Sequence, residues 1–196
     1  MQYRDYGNEG YKVSAFGMGC MRVPHVKDEH GNKIIQREEA IKMIRYAADH
    51  GVTYFDSARM YFNGDCDALL GEALAGGYRE KVKVVSKIPP RFVNSQEEFN
   101  STLDDMLKKL QTDYLDVLLT HDMNREAWDR FQQMGMYQWM EKAKQAGKIK
   151  AIGFSFHDDV ELFREMVDAY PWAMAQIQMN ILDVNYQATV EGMKYA

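Results

Sequence analysis

Four side chains that together could reduce a carbonyl group lie at or just beyond the ends of three apolar runs. They are Asp56 in Y-F-D-S-A, Tyr61 five positions later, Lys87 in V-V-S-K-I and His121 in V-L-L-T-H. A carbonyl becomes an alcohol when its carbon receives a hydride and its oxygen a proton. Tyrosine can donate that proton, but its reference pKa of about 10 is too high for easy exchange at neutral pH.

The other three residue types supply what a tyrosine lacks for this role. A nearby lysine cation stabilises the phenolate and so lowers the pKa of the phenol. An aspartate beside the lysine holds it in place, and a histidine can orient the carbonyl oxygen through a hydrogen bond. Asp56, Tyr61, Lys87 and His121 therefore indicate proton donation to an aldehyde or ketone, provided that the fold brings them together.

Repeated strand–helix units are predicted to position these residues. Six apolar runs are mostly continuous rather than alternating, which is typical of parallel strands covered on both faces. The predicted strands are 15–20, 52–57, 82–88, 114–120, 151–156 and 175–179. Amphipathic helices are predicted at 37–50, 66–75, 95–110, 136–146, 158–169 and from about 188 onwards. Gly7 and Gly10 separate two short strand-like pieces, which predicts an N-terminal β-hairpin.

The alternation of strands and helices predicts an α/β fold of the (β/α)8 barrel type. Residues 1–196 are expected to form a single domain, because the composition shows no break. A closed barrel has eight units and typically about 250 residues, whereas six are countable here, so the barrel is expected to be C-terminally incomplete. A doubly wound fold is disfavoured because the first turn, G-M-G-C-M-R, lacks the following G-x-x-G.

Two long loops are predicted after strand ends, at 22–36 and 121–135. A barrel of this type carries its chemistry in such loops. Trp128 lies in the second of them, so we expect it to influence the choice of substrate or partner more than the stability of the fold.

Composition and charge exclude several classes of function. The chain is 46 % hydrophobic and 27 % charged with a net charge of −5, and no Lys/Arg cluster stands out, which disfavours nucleic acid and anionic membranes as partners. No apolar run approaches the roughly 18 residues of a membrane span. The N-terminus lacks a secretion signal, so a cytoplasmic protein is expected.

Few residues suggest a metal or a disulfide. Cys20 and Cys66 are too few for a disulfide framework or a four-cysteine metal site. His25, Asp28 and His30 lie in a polar loop and are interpreted as a solvated tip rather than as ligands. No metal is therefore expected.

Six stretches of the chain, in order, carry a family resemblance. D-S-A-x-x-Y, G-x-C-D-A-L-L-G-E-A-L and V-V-S-K-I-P are the first three, and L-Q-T-D-Y-L-D-V-L-L-T-H, G-K-I-K-A-I-G-F-S and Q-I-Q-M-N are the others. They resemble the aldo-keto reductase superfamily, whose corresponding motifs include D-T-A-x-x-Y, G-x-S-E-x-x-L-G-x-A-L, L-x-x-D-Y-I-D-L-x-x-x-H and G-K-I-R-x-I-G-V-S. The resemblance covers nearly the whole chain.

The resemblance implies a role for each of the four residues. Tyr61 would be the proton donor, Lys87 would lower its pKa, Asp56 would be the counter-ion of the lysine, and His121 would orient a small carbonyl substrate. The implied cofactor is NADPH, with NADH as the alternative.

Five further residues are implied to contact that cofactor. Ser155 and Gln178 resemble the groups that hold the nicotinamide carboxamide. Gly19, Met21 and Arg22 lie in the first loop, where the family passes close to the cofactor.

The sequence also departs from the family pattern. Ser155 is followed by Phe156 where the family has a Ser-Asn pair, which removes one expected carboxamide contact. F-S-F-H-D and G-C-M-R resemble a bacterial branch that carries a C-terminal ferredoxin-like segment, but that segment is absent and no iron–sulfur cluster is expected.

Two functions and three explanations of the length stay open. The chain is expected to be an NADPH-dependent reductase, or the N-terminal part of one. The alternative is a non-catalytic protein of this fold that binds or regulates a partner. The length itself fits a truncated piece, a chain that self-associates through open barrel edges, or a shortened gene product that keeps the fold without turnover.

Overall fold

The computed structural model describes residues 1–196, which form two compact units. The first unit comprises Met1–Lys87 and Leu103–Val117, and the second comprises Ile88–Thr102 and Leu118–Ala196. The strands are β1 (Tyr3–Asp5), β2 (Lys12–Ser14), β3 (Met18–Gly19), β4 (His25–Lys27), β5 (Lys33–Ile35), β6 (Tyr54–Asp56), β7 (Lys83–Ile88), β8 (Leu115–Met123), β9 (Ile149–Phe156) and β10 (Met174–Ile177). The helices are α1 (Arg37–Asp49), α2 (Asp65–Leu74), α3 (Gln96–Leu110), α4 (Arg125–Met134), α5 (Met136–Gln145), α6 (Val160–Ala169) and α7 (Thr189–Tyr195).

The main sheet has the strand order β10-β9-β8-β7-β6-β3. In the first unit β3 pairs with β6 and β6 with β7, and in the second unit β9 pairs with β10, all in parallel. Each of the six apolar runs predicted as a strand overlaps one of these strands, although β8, β9 and β10 extend beyond the predicted bounds. The predicted N-terminal hairpin is also present, as the antiparallel pair of β1 and β2. The single domain inferred from composition stays a prediction.

The two stretches predicted as long loops contain regular structure. In the first, β4 and β5 form an antiparallel hairpin in which Val26 and Ile34 are partners. Their side chains are exposed, so the hairpin lacks the alternating pattern that would have revealed it. The second stretch contains the end of β8 and the whole of α4, so the loop prediction was wrong there.

Helix α4 has clear end signals within a charged sequence. The Asn124 side chain accepts a hydrogen bond from the Ala127 backbone N–H, and Gly135 ends the helix with a left-handed φ of 66°. Trp128 and Phe131, three residues apart, are both fully buried. Charged and polar residues surround these two positions, so the sequence shows no longer apolar pattern and the helix was not predicted.

An aromatic cluster forms much of the core of the second unit. The Trp128 ring stacks on Phe131 with centroids 5.5 Å apart and also contacts Tyr170 and Trp172. The indole N–H donates to Glu165 Oε1 at 2.7 Å. Trp128 is therefore a core residue, and the prediction that placed it in a substrate-selecting loop was wrong.

In the first unit, α2 packs closely against the end of α3 at Gly71. A Cβ built on Gly71 would lie 2.4 Å from the Lys109 carbonyl oxygen and 2.7 Å from the Leu110 carbonyl carbon. No side chain can be accommodated there unless the backbones move apart.

None of the helices has the length and apolar character needed to span a membrane.

We expect Gly71→Ala to destabilise the chain by about 1–3 kcal/mol, because it forces these two backbones apart. Gly19→Ala is the matched control, since a Cβ on Gly19 would meet nothing within 4 Å. Urea denaturation followed by circular dichroism would compare the free energies of unfolding. Equal stability of the two variants would contradict the close packing of α2 on α3.

Candidate functional site

Three of the four predicted residues meet in the first unit. Lys87 lies in β7 with 1 % of its surface exposed. Its Nζ is 2.6 Å from Asp56 Oδ1 and 2.7 Å from Asp56 Oδ2, and it donates to the Ser57 carbonyl oxygen at 2.7 Å. It also donates to the Tyr61 phenolic oxygen at 3.3 Å. The ends of β6 and β7 thus bring Asp56, Lys87 and Tyr61 into one hydrogen-bonded group.

The chemistry of the lysine fixes the direction of its contact with tyrosine. An ammonium group has only donors, so the Tyr61 oxygen must accept from Lys87 and its own proton points elsewhere. Burial is the largest influence on the pKa of Lys87 and lowers it, while the charge and hydrogen bond of Asp56 oppose that shift. Asp56 therefore favours the charged lysine that a proton-donating tyrosine needs.

The turn that carries Tyr61 has an unusual backbone. Phe62 and Asn63 have φ values of 50° and 55°, in the left-handed region, and Gly64 follows with a φ of 90°. Left-handed backbone costs a non-glycine residue about 1–2 kcal/mol, and such residues are concentrated at functional sites. The Phe62 and His25 rings pack in a T-shaped arrangement, with centroids 5.4 Å apart. The β4–β5 hairpin therefore supports the turn that follows the tyrosine.

His121, the fourth predicted residue, belongs to the second unit. It lies in β8 and is 7 % exposed. The next residue, Asp122, has a left-handed φ of 60°, and its N–H donates to Ser155 Oγ at 3.0 Å. Its carboxylate accepts from Arg91 Nη1 at 2.7 Å. These contacts hold the backbone directly after His121, and they give the Ser155 hydroxyl a structural role as well as the one predicted for it.

The candidate cofactor contacts of the first unit surround the end of β3. Gly19 ends this strand and borders open space, and Met21 and Arg22 follow in a short 3-10 turn with exposed side chains. This arrangement leaves the backbone at Gly19 accessible to a ligand.

The candidates of the second unit include one residue that the sequence analysis missed. Gln178 lies just beyond β10 and is exposed. Gln176 lies within β10, directly opposite Ser155 in the parallel pairing. Its side-chain Oε1 is buried and has no hydrogen-bond partner. A buried acceptor of this kind fits a carboxamide N–H, so Gln176 joins Ser155 and Gln178 as a candidate.

The two cysteines lie together in the first unit. Both are buried, and the Cys66 thiol donates to the Cys20 carbonyl oxygen at 3.3 Å. The hydrogen bond with Cys66 is the first cause, and burial the second, of a pKa of the Cys20 thiol well above its usual range. The structure contains no group of three or more His, Cys, Asp or Glu side chains that could hold a metal ion.

Known proteins share both the sequence pattern and the fold. The model of the aldo/keto reductase family matches residues 16–194. The methylglyoxal reductase YeaE of Escherichia coli is 34 % identical over 132 residues, which are 67 % of this chain and 44 % of that protein. The chain spans about half the length of the curated relatives it matches.

Solved structures of aldo-keto reductases superpose on most of the chain. One is the thermostable enzyme Tm1743 in complex with the inhibitor epalrestat, which is 28 % identical with a TM-score of 0.74, over 93 % of this chain and 64 % of that one. Another, from Klebsiella pneumoniae in complex with NADPH, is 29 % identical with a TM-score of 0.66, over 84 % and 54 % of the two chains. The predicted fold class, an incomplete (β/α)8 barrel, is thereby confirmed. The match of the family model to residues 16–194, supported by these structures, shows that the chain belongs to the aldo/keto reductase family.

Proposed function

We propose that the chain reduces an aldehyde or ketone to an alcohol with a nicotinamide cofactor, NADPH rather than NADH. The observation that carries this proposal is the contact of the Lys87 ammonium with the Tyr61 phenolic oxygen, backed by the Asp56 carboxylate. Membership of an oxidoreductase family supports it. A small carbonyl compound in the cytoplasm is the proposed substrate.

The proton passes from Tyr61 to the carbonyl oxygen of the substrate. Lys87 stabilises the phenolate that remains, because its ammonium donates to the same oxygen. Asp56 keeps the lysine charged and in place. His121 is proposed to orient the substrate carbonyl by a hydrogen bond.

The residues present fit a nicotinamide cofactor, which supplies a hydride when bound. In the second unit, Gln176 offers a buried acceptor oxygen without a partner, next to the Ser155 hydroxyl on the neighbouring strand. These two side chains would hold the carboxamide, and Gln178 is retained as a further candidate. In the first unit, Gly19, Met21 and Arg22 would lie along the cofactor.

Two similar proteins guide the choice of cofactor and substrate for a first assay. The Klebsiella pneumoniae structure contains NADPH, and the Escherichia coli relative is a methylglyoxal reductase. NADPH with methylglyoxal, and with 4-nitrobenzaldehyde as a general aldehyde, is therefore the first assay to set up.

Tyr61→Phe is expected to lower turnover by a factor of about 10²–10⁴, because it removes the proton donor while leaving the ring. Binding of NADPH, followed by its fluorescence, should be unchanged. Tyr46→Phe is the matched control, since Tyr46 is 65 % exposed on α1. Wild-type turnover that survives in Tyr61→Phe would overturn the proposed role of Tyr61. Binding of NADPH without turnover in any variant would favour a binding or regulatory protein instead.

A further inference from the structure

A buried carboxylate lies directly behind the Asp56–Lys87 pair. Asp67, in the first turn of α2, has no exposed surface. Its Oδ1 accepts hydrogen bonds from Ser57 Oγ at 2.6 Å and from Ser86 Oγ at 3.0 Å. Its Oδ2 is buried and has no hydrogen-bond partner. Nothing derived so far for proton transfer explains this group.

The two serines are the immediate neighbours of the paired residues. Ser57 follows Asp56 and Ser86 precedes Lys87. Successive side chains along a strand point to opposite faces, so the serines face α2 while Asp56 and Lys87 face away from it. One carboxylate oxygen thus ties β7 to the residue directly after β6.

The main chain continues this connection to the lysine. The Ser57 carbonyl oxygen accepts from Lys87 Nζ at 2.7 Å, and the Ser57 N–H donates to the Val85 carbonyl oxygen at 2.8 Å. Any rotation of Ser57 would therefore move an acceptor of the lysine. We propose that Asp67 is a positioning residue, which holds Lys87 and Asp56 in contact with Tyr61 through the hydroxyl groups of Ser57 and Ser86. This inference rests on the proposed role of Tyr61 as proton donor.

The position carries a carboxylate at an energetic cost. Burial is the largest influence on the pKa of Asp67 and raises it, while the hydrogen bonds from Ser57 and Ser86 oppose that shift. A buried carboxylate usually costs stability relative to a well-packed apolar side chain. The rest of the buried face of α2 is largely apolar, with Leu69 and Leu70 fully buried. Packing alone therefore does not account for an acid at this position.

The charged groups around the site belong to several elements. The positive charges of Arg59 and Lys109 lower the pKa of Asp67. The charges of Asp56, Cys20 and Asp67 raise the pKa of Lys87. Lys87 is the cation that contacts the Tyr61 oxygen. A change at Asp67 should consequently reach Tyr61 through the position and charge of Lys87.

The test follows the ionisation of Tyr61 by ¹³C NMR of chains labelled at the tyrosine Cζ, with the signal assigned from Tyr61→Phe. We expect Tyr61 to titrate below the value of about 10 of a free tyrosine in the wild type. In Asp67→Ala and in Ser57→Ala/Ser86→Ala its pKa should rise by on the order of one unit, as Lys87 is released. The double serine variant decides the question if Asp67→Ala does not fold.

Ser14→Ala is the control for loss of a buried hydroxyl elsewhere in the same unit, where Ser14 bonds Phe16 and Thr53. It should lower stability without moving the Tyr61 signal. An unchanged Tyr61 pKa in the folded double serine variant would overturn the positioning role alone. A wild-type Tyr61 that titrates like a free tyrosine would overturn both the proposed proton donor and this inference. In turnover assays of Asp67→Ala and of Ser57→Ala/Ser86→Ala, kcat should fall while KM for the aldehyde stays unchanged.

Discussion

Replacement of Trp128 by alanine is expected to destabilise the chain by about 3–5 kcal/mol, as for other buried aromatic residues. The ring is fully buried and contacts Phe131, Tyr170 and Trp172. Its N–H donates to Glu165 Oε1, so the variant also loses a charge-assisted hydrogen bond. The cavity left in such a cluster cannot close without moving several rings. Urea denaturation monitored by circular dichroism measures the loss.

Trp139→Ala is the matched control for this variant. Trp139 is half-buried on α5 and has one described ring contact, with Phe99 at 6.1 Å. About half the loss or less is expected, because less apolar surface leaves water. If Trp128→Ala were as stable as Trp139→Ala and its preference among aldehydes changed, the result would support the prediction that Trp128 influences the choice of substrate more than the stability of the fold.

Lys87→Met is expected to abolish measurable turnover and to cost about 3–5 kcal/mol of stability, the range for breaking a buried ion pair. The substitution leaves the Asp56 carboxylate, which is 7 % exposed, without its cation. It also removes the donor to the Tyr61 oxygen. Stability would be measured by urea denaturation at pH 7, and turnover by oxidation of NADPH.

Two variants separate the charge from the packing at this position. Asp56→Asn/Lys87→Met should recover part of the stability, because no unpaired carboxylate remains, but none of the turnover.

Lys83→Met removes another lysine of β7, whose partner Asp116 keeps its ion pair with Arg79 at 3.0 Å. A loss of under about 1 kcal/mol is expected there. Equal losses in Lys83→Met and Lys87→Met would argue against a special role for the buried pair.

The sequence revealed the fold where its patterns were continuous. Each of the six apolar runs overlaps a strand, and the positions of Asp56, Tyr61 and Lys87 at or just beyond two strand ends predicted that they would meet. Parallel strands buried on both faces leave this clear signal, since nearly every residue is apolar. The hairpin β4–β5 and helix α4 were missed because exposed or charged residues interrupt their patterns.

Two residues of the candidate site could not be found without the structure. The first is Gln176. Gln176 and Gln178 are two positions apart, so in an extended chain their side chains point to the same face and the sequence does not show which of them lies beside Ser155. The strand register does, because it places Gln176 directly opposite Ser155. The second is Asp67. It is an acidic residue in the first turn of a helix, where a carboxylate is commonly stabilised by the helix dipole. Only its complete burial and its bonds to Ser57 and Ser86 show that it does something else.

The most direct test of the proposed chemistry is transfer of deuterium from NADPH labelled at the reactive C4 position to 4-nitrobenzaldehyde, read by mass spectrometry of the alcohol. We expect one deuterium at the carbinol carbon with the 196-residue chain. In Tyr61→Phe we expect the yield to fall by about 10²-fold or more. An alcohol without deuterium, no alcohol from the wild type, or an equal yield from Tyr61→Phe would contradict the proposed chemistry.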